Sequence, residues 1–261
     1  MRGSGAGAPG PTASRPVRSY GARVSDRPTF ELEILDRFRL RAATIDIDVP
    51  PRSAMVLAYL AIRDRPVRRS VVADALWPAL TERRALASLR SSIYRLHAPA
   101  PGPIVRATGE SLELVPWLRV DLRDAIILAR DLATTDRLPS SVERVIGVLG
   151  RELLPDWEQD WIEPEREHFR QLRLRALDAL AERLTLAGRH AEAVEVAQTA
   201  LIVEPLSETA ERALIEAFVD EGNEALAVRE YETFRRRLWH DLRLRPSADL
   251  DQIRPRSRVQ H

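Results

Sequence analysis

Two glycines that lie 34 residues apart, Gly188 and Gly222, have matching surroundings, and this spacing limits what the C-terminal half can fold into. The segment Gly188-Arg-His-Ala-Glu-Ala193 aligns with Gly222-Asn-Glu-Ala-Leu-Ala227. Glycine at the turn between two antiparallel helices, with alanines where those helices approach closely, is typical of tetratricopeptide-like repeats of this period. The pattern predicts an all-α helical-repeat domain.

Two further segments extend this prediction towards the middle of the chain. An array of this kind needs about three units to bury a continuous core. Residues 121–151 are the candidate for the third unit, although they lack the repeat signature. The cluster Glu163-Pro-Glu-Arg-Glu-His168 brings carboxylates and a histidine together, as a metal site would. We interpret it instead as the solvated first turns of a long helix, and we predict no metal-binding and no catalytic residues.

The N-terminal half has the pattern of a winged helix-turn-helix. Alternating apolar and polar residues predict short strands at 30–35 and 45–49, and two more strands joined by a turn within 103–115. Three helices are predicted between them: Ser53–Arg63, Ser70–Trp77 and Thr81–His97. This order makes the third helix the recognition helix and the terminal hairpin the wing.

The predicted fold class is therefore mostly α, with two domains. An N-terminal winged helix-turn-helix (α+β) occupies 30–118, and an all-α tetratricopeptide-like domain occupies 121–255. Residues 1–29 are rich in Gly, Pro, Ala, Ser and Arg, which predicts a disordered arm, and 256–261 form a short tail.

The recognition helix carries an apolar stripe and, opposite it, a small, polar and cationic face. Leu86, Leu89, Ile93 and Leu96 form the stripe at helical spacing. Arginine can bond guanine bidentately, and serine can contact base edges or phosphates. The predicted DNA-contacting residues are Arg83, Arg84, Ser88, Arg90, Ser91, Ser92, Tyr94 and Arg95 of this helix, with Arg106 and Thr108 of the wing. Taken alone, the helix is also compatible with an ordinary solvated face.

Composition excludes several classes of enzyme. The chain has no cysteine, and all 40 of its basic residues are arginine. Disulfides, thiolate zinc sites, Walker-type phosphate loops, Schiff-base enzymes and protein kinases are therefore excluded, since they need cysteine or lysine. We predict no cofactor, no enzymatic activity, no contact with a membrane and a cytoplasmic location.

Charge is divided unevenly along the chain. Residues 30–120 contain 14 arginines and 10 acidic residues, a net charge of +4. Residues 121–261 contain 21 arginines and 28 acidic residues, a net charge of −7. A polyanionic partner is therefore expected for the first half only.

This arrangement resembles the Streptomyces antibiotic regulatory protein family, which pairs an OmpR-type winged helix with a bacterial transcriptional activation domain. The resemblance covers roughly 30–255. It rests on the order and spacing of these pieces: Val72-Ala-Asp-Ala-Leu-Trp77, Ser88-Leu-Arg-Ser-Ser-Ile-Tyr-Arg-Leu96, Trp161 with the helix at 165–174, Leu174-Arg-Ala-Leu-Asp-Ala-Leu180, Gly188-Arg-His-Ala-Glu192 and Asp241-Leu-Arg-Leu-Arg-Pro-Ser-Ala-Asp-Leu250.

The resemblance implies a pathway-specific activator, often of secondary metabolism, that binds tandem repeats in double-stranded promoter DNA. It also implies recruitment of RNA polymerase holoenzyme, for which sigma or other subunits are the expected contacts. Two copies of the chain could pair as a homodimer in solution or only on the tandem sites, and the sequence leaves both arrangements open. Two alternatives stay open: a repeat-based scaffold whose winged helix binds protein, and an enzyme.

Overall fold

The computed structural model describes residues 30–97 and 103–253. The predicted arm at 1–29 and tail at 256–261 lie outside the described residues. Within them helices predominate and the strands gather in two small sheets near the N-terminal end, so the mostly-α prediction is confirmed. No helix in the described part of the chain is long and apolar enough to cross a membrane.

The first sheet begins with three antiparallel strands: β1 (Phe30–Glu33), β2 (Arg39–Ala42) and β3 (Ile45–Ile47). Alternation in β1 turns Phe30 and Leu32 into the core, where each is at most 2% exposed. β1 and β3 lie where the sequence predicted strands. β2 was not predicted, because arginines alternate with its apolar residues.

Three helices follow in the predicted order: α1 (Pro51–Arg63), α2 (Arg69–Leu76) and α3 (Glu82–His97). A two-residue strand, β4 (Val67–Arg68), precedes α2, and the predicted hairpin follows α3 as β5 (Val105–Thr108) and β6 (Ser111–Leu114). These strands form a second sheet in the order β4-β6-β5. Gly109, with φ +59°, lies in the hairpin turn, where the left-handed backbone favours glycine. The winged helix-turn-helix prediction is confirmed.

The first sheet is completed by a strand from beyond the hairpin. β7 (Leu118–Val120) pairs with β1 in parallel, so the order of the sheet is β3-β2-β1-β7. The next helix, α4 (Asp121–Thr134), begins at the residue that follows β7. The N-terminal sheet therefore extends to Val120, and α4 starts there without a linker.

The C-terminal half is helical throughout. After α4 come α5 (Val142–Leu149), α6 (Glu163–Leu186), α7 (His190–Val203), α8 (Glu208–Asp220), α9 (Glu224–Leu242) and α10 (Ala248–Ile253). Gly188, with φ +72°, lies between α6 and α7, and Gly222, with φ +79°, lies between α8 and α9. The two glycines thus end the first helix of successive pairs, as the 34-residue spacing predicted. The cluster at 163–168 forms the first turns of α6, as interpreted from the sequence.

Backbone and aromatic contacts join the two halves. The N–H of Leu154 donates to the carbonyl of Ile34 at 3.0 Å, beside a bridge between Leu35 and Leu153. Trp157 stacks on Phe38, with ring centroids 5.8 Å apart. The segment between α5 and α6 therefore packs against the N-terminal sheet.

Candidate nucleic-acid interface

Helix α3 is held in place by one buried side. Ala85, Leu89 and Leu96 are each at most 2% exposed, whereas the stripe residues Leu86 and Ile93 are only half-buried. The centre of the buried side is therefore rotated from the predicted stripe towards Ala85. Alanine is small, so it lets α3 approach its neighbours closely. For the same reason it does not stand out in a sequence pattern that is based on large apolar residues.

This rotation places one predicted contact residue, Ser92, on the buried side of the helix. Ser92 is 3% exposed, and its Oγ donates to the carbonyl of Ser88 at 2.9 Å. The Oγ of Ser53, on α1, donates to the carbonyl of Ser92 at 2.8 Å. Ser92 thus belongs to the packing between α1 and α3, unlike the other predicted contact residues of the helix.

The outward side of α3 presents the other predicted residues. Arg83, Arg84, Arg90, Ser91, Tyr94 and Arg95 are exposed, and Ser88 is half-buried. Tyr94, a large aromatic residue, is 79% exposed among them. Glu82 is the sole acid of the helix and lies at its start. The surface left by packing is therefore cationic and polar along most of its length.

A cleft of about 500 Å³ separates the first turn of α1 from this surface. Arg52 on one side faces Ser88, Ser91 and Arg95 on the other. Arg52 was not predicted from the sequence as part of this surface. The first turn of α1 contains no acidic residue and has an arginine where acids are usually favoured, and this departure could have indicated it. The positive end of the helix and Arg52 together suit an anion such as a phosphate.

The start of α2 has the same character. Arg68 and Arg69 precede or open the helix, and its first turn contains no acidic residue. The N–H of Arg69 donates to the carbonyl of Glu110 in the hairpin turn at 2.9 Å. The tip of the wing is therefore fixed beside the start of α2, and these two arginines were also missed from the sequence.

Arginines of the winged helix fall into two groups by their partners. In the sheet, Arg39 forms a bidentate pair with Asp46. Eight others form no ion pair with a described residue. Arg65 lies between α1 and β4, and the remaining seven form the second group: Arg52, Arg68, Arg69, Arg83, Arg84, Arg90 and Arg95. The second group lies on α3 and at the starts of α1 and α2, so its charge is available to a polyanion.

The wing residues Arg106 and Thr108 are exposed, as predicted, but they share a partner. Arg106 pairs with Glu113 across the hairpin, with Nη2 2.7 Å from Oε1. The Oγ1 of Thr108 donates to the same oxygen at 3.2 Å. The Arg106 guanidinium holds the pKa of Glu113 below its usual range, so the carboxyl stays ionised and partly neutralises the wing.

The chain is similar to known proteins in its helical half and, more distantly, over most of its length. The model of the "Bacterial transcriptional activator domain" family matches residues 147–256, which include α6 to α10. The regulatory protein AfsR of Streptomyces griseus is 24% identical over 216 residues, 79% of this chain. AfsR of Streptomyces coelicolor is 25% identical over 223 residues, 82% of this chain. The C-terminal part of the chain thus matches a bacterial transcriptional activator domain, and most of the chain is similar to these regulatory proteins.

The chain spans 22% of the length of each AfsR protein that it matches. Its fold is similar to that of Mycobacterium tuberculosis EmbR, solved in complex with a low-affinity phosphopeptide. The TM-score is 0.69 at 20% identity, over 87% of this chain and 64% of the EmbR chain. The likeness supports the winged-helix and helical-repeat architecture of the chain.

Proposed function

We propose that this chain is a sequence-specific DNA-binding transcriptional activator of a gene cluster. In this proposal it works in the cytoplasm, without a cofactor or enzymatic activity, and binds tandem repeats in promoter DNA. The observation that carries the proposal is the group of seven unpaired arginines on α3 and at the starts of α1 and α2.

Helix α3 is the proposed major-groove reader. Arg83, Arg84, Arg90 and Arg95 extend from its exposed side, and Ser91 and Tyr94 lie among them. An arginine without a carboxylate partner does not lose an ion pair when it contacts a phosphate or a guanine. The free-energy cost of binding is therefore lower than for an arginine that is already paired. Arg52, Arg68 and Arg69 are the proposed contacts to the phosphate backbone, which would fix the helix in register.

The helical-repeat domain is the proposed contact to the transcription machinery. Residues 121–261 have a net charge of −7, which disfavours contact with DNA. Repeats of paired helices present extended surfaces to other proteins. RNA polymerase holoenzyme, through sigma or another subunit, is the proposed partner, and two copies of the chain would occupy adjacent repeats.

A salt titration of the purified full-length chain tests the DNA-binding part. Genomic fragments of the source organism that the chain selects would be compared with a mixed-sequence duplex of equal length. Phosphate contacts make the logarithm of affinity fall linearly with the logarithm of salt, and base contacts add a preference for the selected fragments. A flat salt dependence would favour the scaffold interpretation, in which the winged helix binds protein.

Recruitment is tested separately. Polymerase holoenzyme is added to the selected fragment with and without the full-length chain, and open-complex formation is measured. The proposal expects more open complex in the presence of the chain. DNA binding without this increase would remove the activator role and keep the DNA-binding one.

A further inference from the structure

Helices α7, α8 and α9 enclose a cleft of about 380 Å³ on the helical-repeat domain. Its walls are mixed: Leu201 of α7, Leu214 of α8 and Phe234 of α9 contribute apolar side chains beside polar and charged ones, and Leu214 and Phe234 are almost fully buried. Ile202, beside Leu201, is 74% exposed at its edge. The cleft therefore has hydrophobic surface that the fold itself leaves uncovered.

A buried carboxyl group lines this cleft without a hydrogen-bond partner among the described residues. Glu211 lines the cleft from α8, is 2% exposed, and its Oε1 is buried without a partner among the described residues. Buried polar atoms are almost always hydrogen-bonded, since desolvation without a partner is costly. Helix formation does not require a glutamate here, so the orphaned oxygen calls for an explanation.

The arginine that lines the cleft is engaged with another part of the chain. Arg237 of α9 also lines the cleft, but its Nη1 donates to the carbonyl of Pro205 at 3.2 Å. A second carboxylate, Glu230 of α9, faces the same space. Burial and the charge of Glu230 raise the pKa of Glu211 to about 7, against a weaker opposing effect of Arg237. In the absence of a partner, the cleft thus holds a carboxyl group whose negative charge is not stabilised by a hydrogen bond to Oε1.

We propose that this cleft binds an arginine or lysine side chain of a partner protein, with Glu211 as its acceptor. The aliphatic stem of that side chain would lie between Leu201, Leu214 and Phe234, as cationic side chains commonly do on apolar surface. Charge complementarity excludes an acidic segment, a phosphate or a nucleic acid, because each would face Glu211 and Glu230. The inference deepens the proposed function, since it rests on the partner-binding role of the helical repeats and gives that role a definite site.

Arginine fits this site better than lysine. A guanidinium presents five donors in a fixed plane, so it can reach Glu211, Glu230 and the amide oxygen of Gln198 of α7 together. A partner leucine next to the arginine would cover the exposed Ile202. A short peptide that contains both residues is therefore a suitable probe.

The test is a titration of the full-length protein with acetyl-Leu-Arg-Leu-amide, followed by nuclear magnetic resonance. The matched control peptide has citrulline in place of arginine, which keeps the shape and removes the charge. We expect amide signals of α8 and α9 around the cleft to shift, with affinity about 10-fold weaker for citrulline. Equal affinity for the two peptides, or shifts confined to other surfaces, would overturn the proposal.

Two variants of α8 distinguish binding at the cleft from a general effect of removing one negative charge. Glu211→Gln should abolish the preference for arginine, whereas Glu216→Gln, on the same helix but outside the cleft, should retain it. Preference that persists in a folded Glu211→Gln protein contradicts the proposal.

The wild-type protein supplies a measurement that does not depend on a variant folding. The charged groups whose fields act on Glu211 are Glu230 and Arg237, while α7 contributes neutral Gln198. An incoming cation favours the ionised carboxylate, so saturation with the arginine peptide should lower the pKa of Glu211, read from its side-chain carboxyl carbon. The citrulline peptide should leave it unchanged, and an identical titration curve with both peptides counts against the site. Neither DNA nor polymerase is present, so failure here is distinct from failure of the proposed function.

Discussion

The carboxylate of Asp121 accepts a hydrogen bond from the backbone N–H of Ile34 at 2.9 Å, joining residues that are 87 positions apart. The same side chain accepts from the N–H of Leu35 at 3.1 Å and from Leu122, in its own helix, at 2.8 Å. Because Asp121 is the first residue of α4, it fixes the start of the helical half to the end of β1. The orientation of α4 relative to the winged helix therefore depends on this side chain.

We expect Asp121→Ala to destabilise the protein by about 1–3 kcal/mol, because it leaves the N–H groups of Ile34 and Leu35 without acceptors. Urea unfolding measures this cost. Asp124→Ala is the matched control, since Asp124 is exposed and pairs only with Arg119, and it should cost less than about 1 kcal/mol. Equal costs for the two variants would show that Asp121 does not join the halves.

Arg84→Ala and Arg95→Ala should each weaken binding to a selected DNA site by about 1–3 kcal/mol if they contact bases. Both side chains are exposed, so the melting temperature should change little. Arg175→Ala, exposed on α6, removes the same charge from the helical half and should leave DNA affinity unchanged. A double variant of Arg84 and Arg95 whose footprint equals that of the wild type would remove α3 from the interface.

Glu113→Gln should strengthen binding to DNA. The substitution removes the carboxylate that pairs with Arg106 and frees the guanidinium for a phosphate, so the salt dependence should steepen by about one unit of slope. Glu110→Gln removes an equal charge at the tip of the same hairpin, but Glu110 is not the partner of Arg106. If the two variants gain equally, the effect is one of net charge, and the wing has no contact of its own.

The order of helices and the wing could be predicted from the sequence because each follows from local periodicity or from turn residues. The strands β2, β4 and β7 could not be predicted from the sequence in this way. β4 has two residues, and β7 is defined only by its pairing with β1 across some 90 residues of sequence. Such pairings depend on tertiary structure, which no local pattern contains.

The exposed face of α3 could be predicted from the sequence, except that the buried side is rotated from the predicted stripe. Large apolar residues located the stripe, but close packing against α1 placed small residues, Ala85 and Ser92, on the buried side. Arg52 was missed because its proximity to Arg95 arises from the crossing of α1 and α3, which are far apart in sequence. The cleft around Glu211 escaped prediction for the same reason, since its walls come from three helices.

Ala193→Arg should cost several kcal/mol of stability. Ala193 is fully buried where α7 meets its neighbours, so a long charged side chain would overpack the contact and bury a charge. Ala191→Arg, exposed two residues earlier, should stay within about 0.5 kcal/mol of the wild type. Thermal unfolding of the pair checks the repeat register, and a stable Ala193→Arg protein would contradict it.

Glu211 should also make stability depend on pH. Its pKa is about 7 in the folded protein and 4.5 in the absence of the fold, so the native state binds the proton more tightly than the unfolded state. Protonation therefore favours folding: the contribution is fully present below pH 4.5, and stability falls as the pH rises through 7. The loss above that range is on the order of 1–3 kcal/mol.

Glu211→Gln removes this dependence. Unfolding free energies of variant and wild type, measured by urea from pH 4 to pH 8, should therefore diverge in favour of the variant as the pH rises through that window. Asp178→Asn is the matched comparison, because burial raises the pKa of Asp178 only to about 6, so its divergence should be complete at lower pH. The difference in unfolding free energy between Glu211→Gln and wild type could instead stay constant over this range. The carboxyl group would then not be desolvated in the free protein, and the proposed binding site in the cleft would lose its main physical support.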